Sequence, residues 1–217
     1  MRTKCIFVLL LPFLFSCESS VDVPEIVPTA FHEIESGERG VTVQEMSDHT
    51  QFQLERVKRN TVNHKLPIIH VLNSKDEVVV LNELIEKPTL ILVMDSDCGI
   101  GQMYARENLP MALNRSSVDR SRFDVIFLVS TYRKQTFESD EVLAFRKDIE
   151  AIYPQVCLIS EENANKMNAT GVSTLLVDDA GVVRHYRKGS ALNSDDTIII
   201  FDYMLSLIGI GPARVNH

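Results

Sequence analysis

Two continuous apolar runs with a helix-length segment between them dominate the hydrophobic pattern of this chain. Residues 89–94 and 124–130 are apolar at almost every position, which is typical of strands buried on both faces in a parallel sheet. Residues 99–114 lie between the runs and are long enough for the helix that joins parallel strands. The pattern therefore predicts a parallel strand-helix-strand unit in the middle of the chain.

Shorter segments extend this unit on both sides. Residues 66–84 predict a β-hairpin, because two apolar stretches flank the turn-forming residues Asn73 to Asp76. After residue 130 the pattern predicts a helix stopped by Pro154, a strand, a short polar helix, a second hairpin and a final helix. The helical apolar faces are expected at Val142, Phe145, Ile149 and Ile152, and at Ile200, Met204, Leu207 and Ile208. Alternation of this kind predicts a three-layer α/β domain.

The first residues have the features of an export signal. Two basic residues precede an apolar stretch, residues 6–15, that is shorter than the roughly 20 residues needed to span a bilayer. The sequence LFSC at residues 14–17 is similar to a bacterial lipobox, in which the cysteine becomes the lipidated first residue of the mature chain. We therefore expect residues 1–16 to be a lipoprotein signal peptide and Cys17 to hold the protein on the extracytoplasmic side of a bacterial cell membrane. An ordinary secretory cleavage site is the alternative.

Composition divides the rest of the chain into a polar lead and one domain. Residues 17–65 are polar apart from a predicted helix between Thr42 and Asn60, so we expect a lipidated N-terminus and an extended tether that lifts the domain off the membrane. Residues 66–210 form the predicted domain, and residues 211–217 form a tail.

Acidic residues outnumber basic ones. The whole chain has a formal net charge of −8, and removal of residues 1–16, which hold two basic side chains and no acidic one, changes it to −10. A negative charge of this size argues against nucleic acid as a partner. The six histidines are scattered and form no recognisable ligand set, so we expect no metal and no other cofactor.

Two thiols remain after the signal peptide and Cys17 are set aside. Cys98 follows the first buried strand at the expected start of a helix, where open α/β sheets place their ligand sites. A thiolate there can accept unpaired backbone N–H groups at the positive end of the helix dipole. Cys157 is expected at the start of its own strand, at the opposite edge of the sheet and too far from Cys98 for a disulfide. We interpret it as a small buried hydrophobic residue.

Three stretches carry a family resemblance. LPIIHVLNSKDEVVVLNELIEKPTLILV (residues 66–93) looks like an opening hairpin and first core strand, CGIGQMYARENLP (98–110) occupies the place of an active-site helix, and GVSTLLVDDAGVVRHYRKG (171–189) looks like a closing hairpin. Together they resemble the thioredoxin-like fold of TlpA/ResA-type lipoproteins and of the AhpC/TSA (redoxin) group. The resemblance implies a three-layer α/β fold with an N-terminal β-hairpin and a helix-strand insertion, and thiol-dependent redox chemistry at Cys98.

The motif differs from that of the family at three positions. The family's C-x-x-C supplies a second thiol, whereas this chain has Gly101 there, so a dithiol cycle within the motif is excluded. Ser173, followed by Thr174, stands where the family has a cis-proline, and we expect its peptide bond to be trans. Asp97 replaces the usual aromatic residue before Cys98, and a carboxylate there opposes the effect of the helix dipole on a thiol.

A second pattern is similar to that of a different enzyme class. LILVMDSDCG (residues 90–99) resembles the first motif of haloacid-dehalogenase-type phosphohydrolases, in which Asp95 would be the nucleophile and Asp97 the acid/base. Asp178 and Asp179 would then hold Mg²⁺. The residue after the second Asp is not the Thr or Val of that family, and the second acidic pair leads into a β-turn. Acidic residues at solvent-facing strand ends are therefore the favoured interpretation.

The sequence as a whole predicts an extracytoplasmic, lipid-anchored thioredoxin-like protein of the bacterial cell envelope. If the protein is active, Cys98 acts alone by forming a mixed disulfide or a sulfenic acid that an external thiol reduces. Ser173, Thr174 and the backbone amides after Cys98 would line that site. The alternative is a redox-inactive module of the same fold that binds an envelope protein or a peptide.

Overall fold

The computed structural model describes residues 22–29, 43–115, 118–131, 137–189 and 194–210. The described strands form a single mixed sheet. The sheet has seven strands in the order β2-β1-β5-β4-β3-β6-β7. The strands are β1 (His70–Leu72), β2 (Val78–Val80), β3 (Thr89–Asp95), β4 (Asp124–Ser130), β5 (Gln155–Ile159), β6 (Ser173–Val177) and β7 (Val183–Lys188). The helices are α1 (Val43–Arg59), α2 (Gly99–Met103), α3 (Leu109–Arg115), α4 (Asp140–Glu150), α5 (Glu161–Lys166) and α6 (Ser194–Ser206).

The two continuous apolar runs form the centre of the sheet. Strands β3 and β4 are parallel and pair along their whole length, from Thr89 with Asp124 to Asp95 with Ser130. Strand β5 continues the parallel part beside β4, and β6 lies antiparallel on the other side of β3. Every residue of β3 is buried, because helices cover both faces of this strand. The predicted parallel unit is therefore confirmed.

Successive side chains of β3 point into two separate hydrophobic clusters. Leu92 and Met94 pack with helices α3, α4 and α6 on one face. Ile91 and Val93 pack on the other face with residues of α1 and α5. The alternation follows from the two-residue period of a strand and divides the protein into three layers. The predicted three-layer α/β architecture is confirmed.

The helix that follows β3 is continuous from Gly99 to Arg115, as predicted, but it changes its winding. A π-helical turn, Tyr104–Asn108, separates α2 from α3. Such turns insert an extra residue into a helix and often lie near functional sites. This run begins at the turn that holds Cys98.

The apolar faces of the later helices differ in part from the prediction. Ile152 is 39% exposed, because α4 ends before it at Glu150. In α6 the buried positions include Phe201, Met204 and Leu205, while the predicted core residue Leu207 is 46% exposed. The helix therefore presents a face that is rotated from the predicted one, although Met204 belongs to both.

The N-terminal segment, residues 22–29, is packed on the domain. Its Ile26 is 4% exposed, the Ile26 N–H donates to the Lys65 carbonyl at 2.9 Å, and the Lys65 N–H donates to the Pro24 carbonyl at 2.7 Å. Helix α1 is also docked, because Val57 is buried in the cluster under the sheet. The predicted helix between Thr42 and Asn60 is confirmed as α1. The rest of the described N-terminal part is held on the domain by backbone hydrogen bonds and apolar contacts, so residues 22–29 and 60–65 do not form the extended tether that was expected.

The predicted signal peptide, the lipobox cysteine Cys17 and the tail at residues 211–217 lie outside the described residues. Among the helices that the structure describes, none combines the length and the apolar character needed to cross a membrane.

Candidate functional site

Cys98 lies in a hydrogen-bonded turn between β3 and α2. Its N–H donates to the Asp95 carbonyl at 3.2 Å, and its own carbonyl accepts from the Gln102 N–H at 2.8 Å. The Gln102 side-chain amide donates back to the Ser96 carbonyl at 2.6 Å, which fixes the turn from the helix side. Cys98 is thus the residue immediately before the helix, and its side chain is partly exposed. This is the position that the sequence predicted.

The thiol lines a cavity of about 550 Å³ beside the carboxyl end of β3. Four separate parts of the chain form the rest of the wall: the N-terminal segment, α1, the region of α5 and its following loop, and β7. The lining residues that bear on its chemistry are Thr29, Asp95, Asp97, Glu161, Asn168 and Lys188. A cavity of this size can hold a small molecule or one side chain of a peptide.

Carboxylates dominate the polar lining of the cavity. Asp95 is 7% exposed, and its burial raises the pKa of its carboxyl above the ordinary value. A hydrogen bond from Ser130 acts in the opposite direction on this pKa, as does the charge of Lys188, whereas the charges of Asp97 and Glu161 raise it further. Asp97 and Glu161 are exposed, so they form the outer part of the wall.

Gly101, which stands in place of the second cysteine of C-x-x-C, has no room for a side chain. A Cβ atom built there would lie 2.9 Å from Sδ of Met94 and 3.0 Å from Cγ2 of Val172. Met94 is 1% exposed, so it has little space into which to move. The absence of a second thiol is therefore built into the packing around β3.

Ser173 and Thr174 are core residues of β6 instead of residues that line the cavity. Both are buried, and their strand neighbours on β3 are Val93 and Leu92. The Ser173 hydroxyl donates to the Thr170 carbonyl at 3.0 Å, and the peptide bonds among the described residues are all trans. The expectation that Ser173 and Thr174 form the site wall is corrected: Thr170 and Gly171, just before β6, line the cavity.

Asn168 is a cavity residue that the sequence analysis missed. Its backbone has a φ of +57°, and its buried side chain accepts from the Thr29 N–H at 2.6 Å while donating to the Val27 carbonyl at 3.1 Å and the Thr61 hydroxyl at 2.9 Å. The Tyr186 hydroxyl donates to the Asn168 carbonyl at 2.8 Å. The one available signal was local, since asparagine after a short helix often adopts the left-handed conformation.

Cys157 lies in the middle of β5, where its neighbour on β4 is Leu128, and not at the start of the strand as predicted. It is buried, and burial raises the pKa of its thiol to about 11. Both Cys98 and Cys157 are free thiols. The interpretation of Cys157 as a small buried hydrophobic residue agrees with this environment.

The acidic residues of the phosphohydrolase interpretation are separated by the sheet. Val177 pairs with Thr89, the first residue of β3, so Asp178 lies at the opposite end of this strand from Asp95, about 20 Å away. The Asp178 carboxylate instead accepts from two backbone N–H groups of its turn and from Arg184 at 2.7 Å. Nowhere in the described residues do three or more His, Cys, Asp or Glu side chains form a group that could hold a metal. The constellation with Asp95, Asp97, Asp178 and Asp179 is therefore wrong.

Comparison with known proteins identifies the fold. No family model matches the sequence, and no curated protein matches it significantly. Among solved structures, an uncharacterized thioredoxin-like protein from Porphyromonas gingivalis is 17% identical and aligns over 70% of this chain and 97% of its own with a TM-score of 0.50. A putative electron transport protein from Aquifex aeolicus is 18% identical over 66% of this chain and 95% of its own, also with a TM-score of 0.50. A putative thiol:disulfide interchange protein DsbE from Chlorobium tepidum is 17% identical over 67% and 96%, with a TM-score of 0.48. The match to the thioredoxin-like protein from Porphyromonas gingivalis shows that this chain has a thioredoxin-like fold.

Proposed function

We propose that this protein exchanges thiols and disulfides through Cys98 alone, on the extracytoplasmic side of a membrane to which Cys17 anchors it. One observation carries the proposal. In a thioredoxin-like fold, Cys98 is a partly exposed thiol immediately before a helix, and it lines a cavity of about 550 Å³. A helix start stabilises negative charge on sulfur through its dipole and its unpaired N–H groups.

The reaction needs two external partners because Cys98 is the one thiol that the described residues bring to the site. The Cys98 thiolate attacks one sulfur of a disulfide RSSR, so that a Cys98–SR bond forms, the RS–SR bond breaks and RS⁻ leaves to take up a proton. The thiolate of a second thiol, R′SH, then attacks the sulfur of the bound R group. This step releases RSSR′ and restores the Cys98 thiolate. The cycle exchanges disulfides without net oxidation of the protein.

The proposed location is consistent with this chemistry, since disulfides persist in extracytoplasmic spaces. Lipid attachment at Cys17 can be tested directly in a bacterial host by following the full chain in membrane and soluble fractions. Cys17→Ser should move the protein from the membrane fraction to the soluble fraction or leave its signal segment uncleaved. Membrane association that is unchanged in this variant although its signal segment has been cleaved would contradict the proposed anchor.

The activity is tested with a neutral disulfide, 2-hydroxyethyl disulfide, on the folded full chain. We expect one adduct on Cys98, located by peptide mass mapping, that added 2-mercaptoethanol removes again. Cys157 is the internal control. Because it is buried and its thiol pKa is raised to about 11, adduct formation at Cys157 should be more than about a hundredfold slower in the folded chain than in the unfolded chain. A Cys98 that reacts only after unfolding would contradict the proposed activity.

A second candidate function is a redox-inactive module that binds an envelope protein or a peptide in the same cavity. It is favoured by the closed packing at Gly101, which leaves little space for a resolving thiol at that position. Cys98→Ser distinguishes the two functions, because it abolishes disulfide exchange but changes the cavity by a single atom. If the Cys98→Ser variant still restores the normal phenotype of a strain that lacks the protein, the binding module is favoured.

A further inference from the structure

The charged groups of the Cys98 cavity are unequal in number. Asp95, Asp97 and Glu161 contribute three carboxyl groups, and Lys188 contributes one ammonium group. The Lys188 ammonium lies 3.4 Å from the Thr170 hydroxyl, so it is directed along the wall next to the start of β6. Among the described residues that line the cavity, Lys188 is the one basic residue.

The electrostatic balance stays negative even when Asp95 is protonated. Burial is the main reason that the pKa of Asp95 is raised, and the neighbouring charges of Asp97 and Glu161 raise it further. Asp97 and Glu161 are exposed, and each contributes a formal negative charge to the wall. With Asp95 neutral, two negative charges therefore still face one positive charge around the thiol.

We infer that the Cys98 site selects disulfides and thiols that carry positive charge, such as an amine-bearing small disulfide or a peptide cysteine flanked by Lys or Arg. This inference rests on the proposed function, because it names the substrate class of that same thiol. Carboxylates around a cleft concentrate cations and repel anions before any contact forms. The same groups disfavour glutathione disulfide, which has a net negative charge, so the selection includes a repulsive element.

The charge preference can be measured from the rate of adduct formation at Cys98 in the folded full chain. Three small disulfides span the charge range: cystamine is cationic, 2-hydroxyethyl disulfide is neutral and glutathione disulfide is anionic. Each rate is divided by the rate at Cys98 in the urea-unfolded chain, which removes the intrinsic reactivity of the reagent. We expect cystamine to be fastest and glutathione disulfide slowest, with a spread that narrows as salt is added. A disulfide-linked peptide with Lys beside its Cys, compared with the same peptide bearing Gln, tests the peptide form.

Variants assign the preference to the carboxylates of the wall. Asp97→Asn and Glu161→Gln should each lower the ratio of the cystamine rate to the 2-hydroxyethyl disulfide rate by roughly two- to fivefold. Glu162→Gln is the matched control, because Glu162 is the next residue of α5, is exposed, pairs with Lys166 at 2.9 Å and does not line the cavity. This variant should leave the ratio unchanged.

The two levels of the proposal fail in different ways. If Cys98 reacts with all three disulfides at equal normalised rates, or fastest with glutathione disulfide, the charge inference is overturned and the proposed activity stands. An equal change in Glu162→Gln also overturns the inference, because the effect would then come from net charge alone. If Cys98 forms no adduct with any reagent in the folded protein, the proposed activity fails, and the inference fails with it.

Discussion

The start of the helix after β3 has an open side and a closed side. At Cys98 the chain faces a cavity of about 550 Å³, whereas at Gly101, less than one turn further along, a single added carbon would lie 2.9 Å from Met94. A dithiol site needs both positions to be open, because the second thiol must reach the first sulfur. The missing cysteine is therefore accompanied by close packing at the same position. Met94 and Val172 occupy the space that its side chain would need.

The open side is held in shape by Asn168, and removing its side chain should have the largest effect on stability. Asn168→Ala removes the acceptor of the Thr29 N–H. It also removes one of two hydrogen bonds of the Val27 carbonyl and one of two of the Thr61 hydroxyl, and it places alanine at a φ of +57°. We expect a loss of about 2–4 kcal/mol in the free energy of unfolding, measured by urea denaturation. Adduct formation at Cys98 should also become faster, since the wall that includes Thr29 loosens.

Asn63→Ala is the control for the backbone part of this effect. Asn63 has a similar φ of +63°, and its side chain accepts a hydrogen bond from the exposed Arg184 guanidinium at 3.3 Å. Its loss should be about 1 kcal/mol, the cost of the left-handed conformation. Equal losses in the two variants would show that the Asn168 side chain does not hold the wall.

The close packing at Gly101 predicts that alanine substitutions at two glycines of α2 change the free energy of unfolding in opposite directions. Gly101→Ala should lower the free energy of unfolding by about 1–3 kcal/mol, because the new methyl group overpacks the space beside Met94. Gly99→Ala should raise it by up to about 1 kcal/mol, since no atom lies within 4 Å of the added carbon and alanine favours the helix. Urea denaturation of both variants checks this. A gain at both positions would show that the packing at Gly101 can relax and that a second thiol could be accommodated.

The buried carboxyl of Asp95, on the open side, predicts a smaller and pH-dependent effect on the free energy of unfolding. Burial raises the pKa of Asp95 above its ordinary 3.8, so the folded chain holds this proton more tightly than the unfolded chain does. Below both pKa values the carboxyl is protonated in both states and carries no penalty. As the pH rises through the unfolded value and then the folded value, ionisation increasingly favours the unfolded chain.

Asp95→Asn should therefore stabilise the protein near neutral pH, by on the order of 1 kcal/mol, a usual gain when an unfavourable charge is removed from a functional site. The gain should shrink toward zero at about pH 3, where carboxyl groups are largely protonated. Unfolding curves of both proteins at the two pH values test this. Asp97→Asn, which changes an exposed carboxylate, should give a smaller gain. An Asp95→Asn effect that is independent of pH would show that the carboxyl is not destabilising when ionised.

The sequence predicts the central strands well, because a strand that is buried on both faces has apolar residues at almost every position. Strand β3 is buried at every position, and its run of apolar residues has no competing interpretation of the same length. The buried face of helix α6 was harder to predict, because the buried residues Phe201 and Leu205 each directly follow a residue of the predicted face, Ile200 and Met204. In a helix with so many apolar residues, contacts with the sheet decide which of them are covered.

The candidate site divides in the same way. Cys98 could be predicted because its position depends on neighbours in the chain, namely the end of one strand and the start of one helix. The wall opposite it could not, because Thr29 and Asn168 are joined by a 2.6 Å hydrogen bond across 139 positions of sequence. Backbone groups of the N-terminal segment make many of the contacts that hold this wall. Almost every residue type has the same backbone N–H and C=O groups, so the sequence does not indicate such contacts.

The docking of residues 22–29 limits how far the protein can work from its proposed anchor. A free tether over residues 17–65 would reach about 160 Å when fully extended, but seven residues from Cys17 to the docked Pro24 reach about 25 Å at most. The cavity shares its wall with this docked segment through Thr29. With Cys17 lipidated, Cys98 would therefore stay within a protein diameter or so of the bilayer surface, so its partners would have to be membrane-bound themselves or diffuse to the membrane.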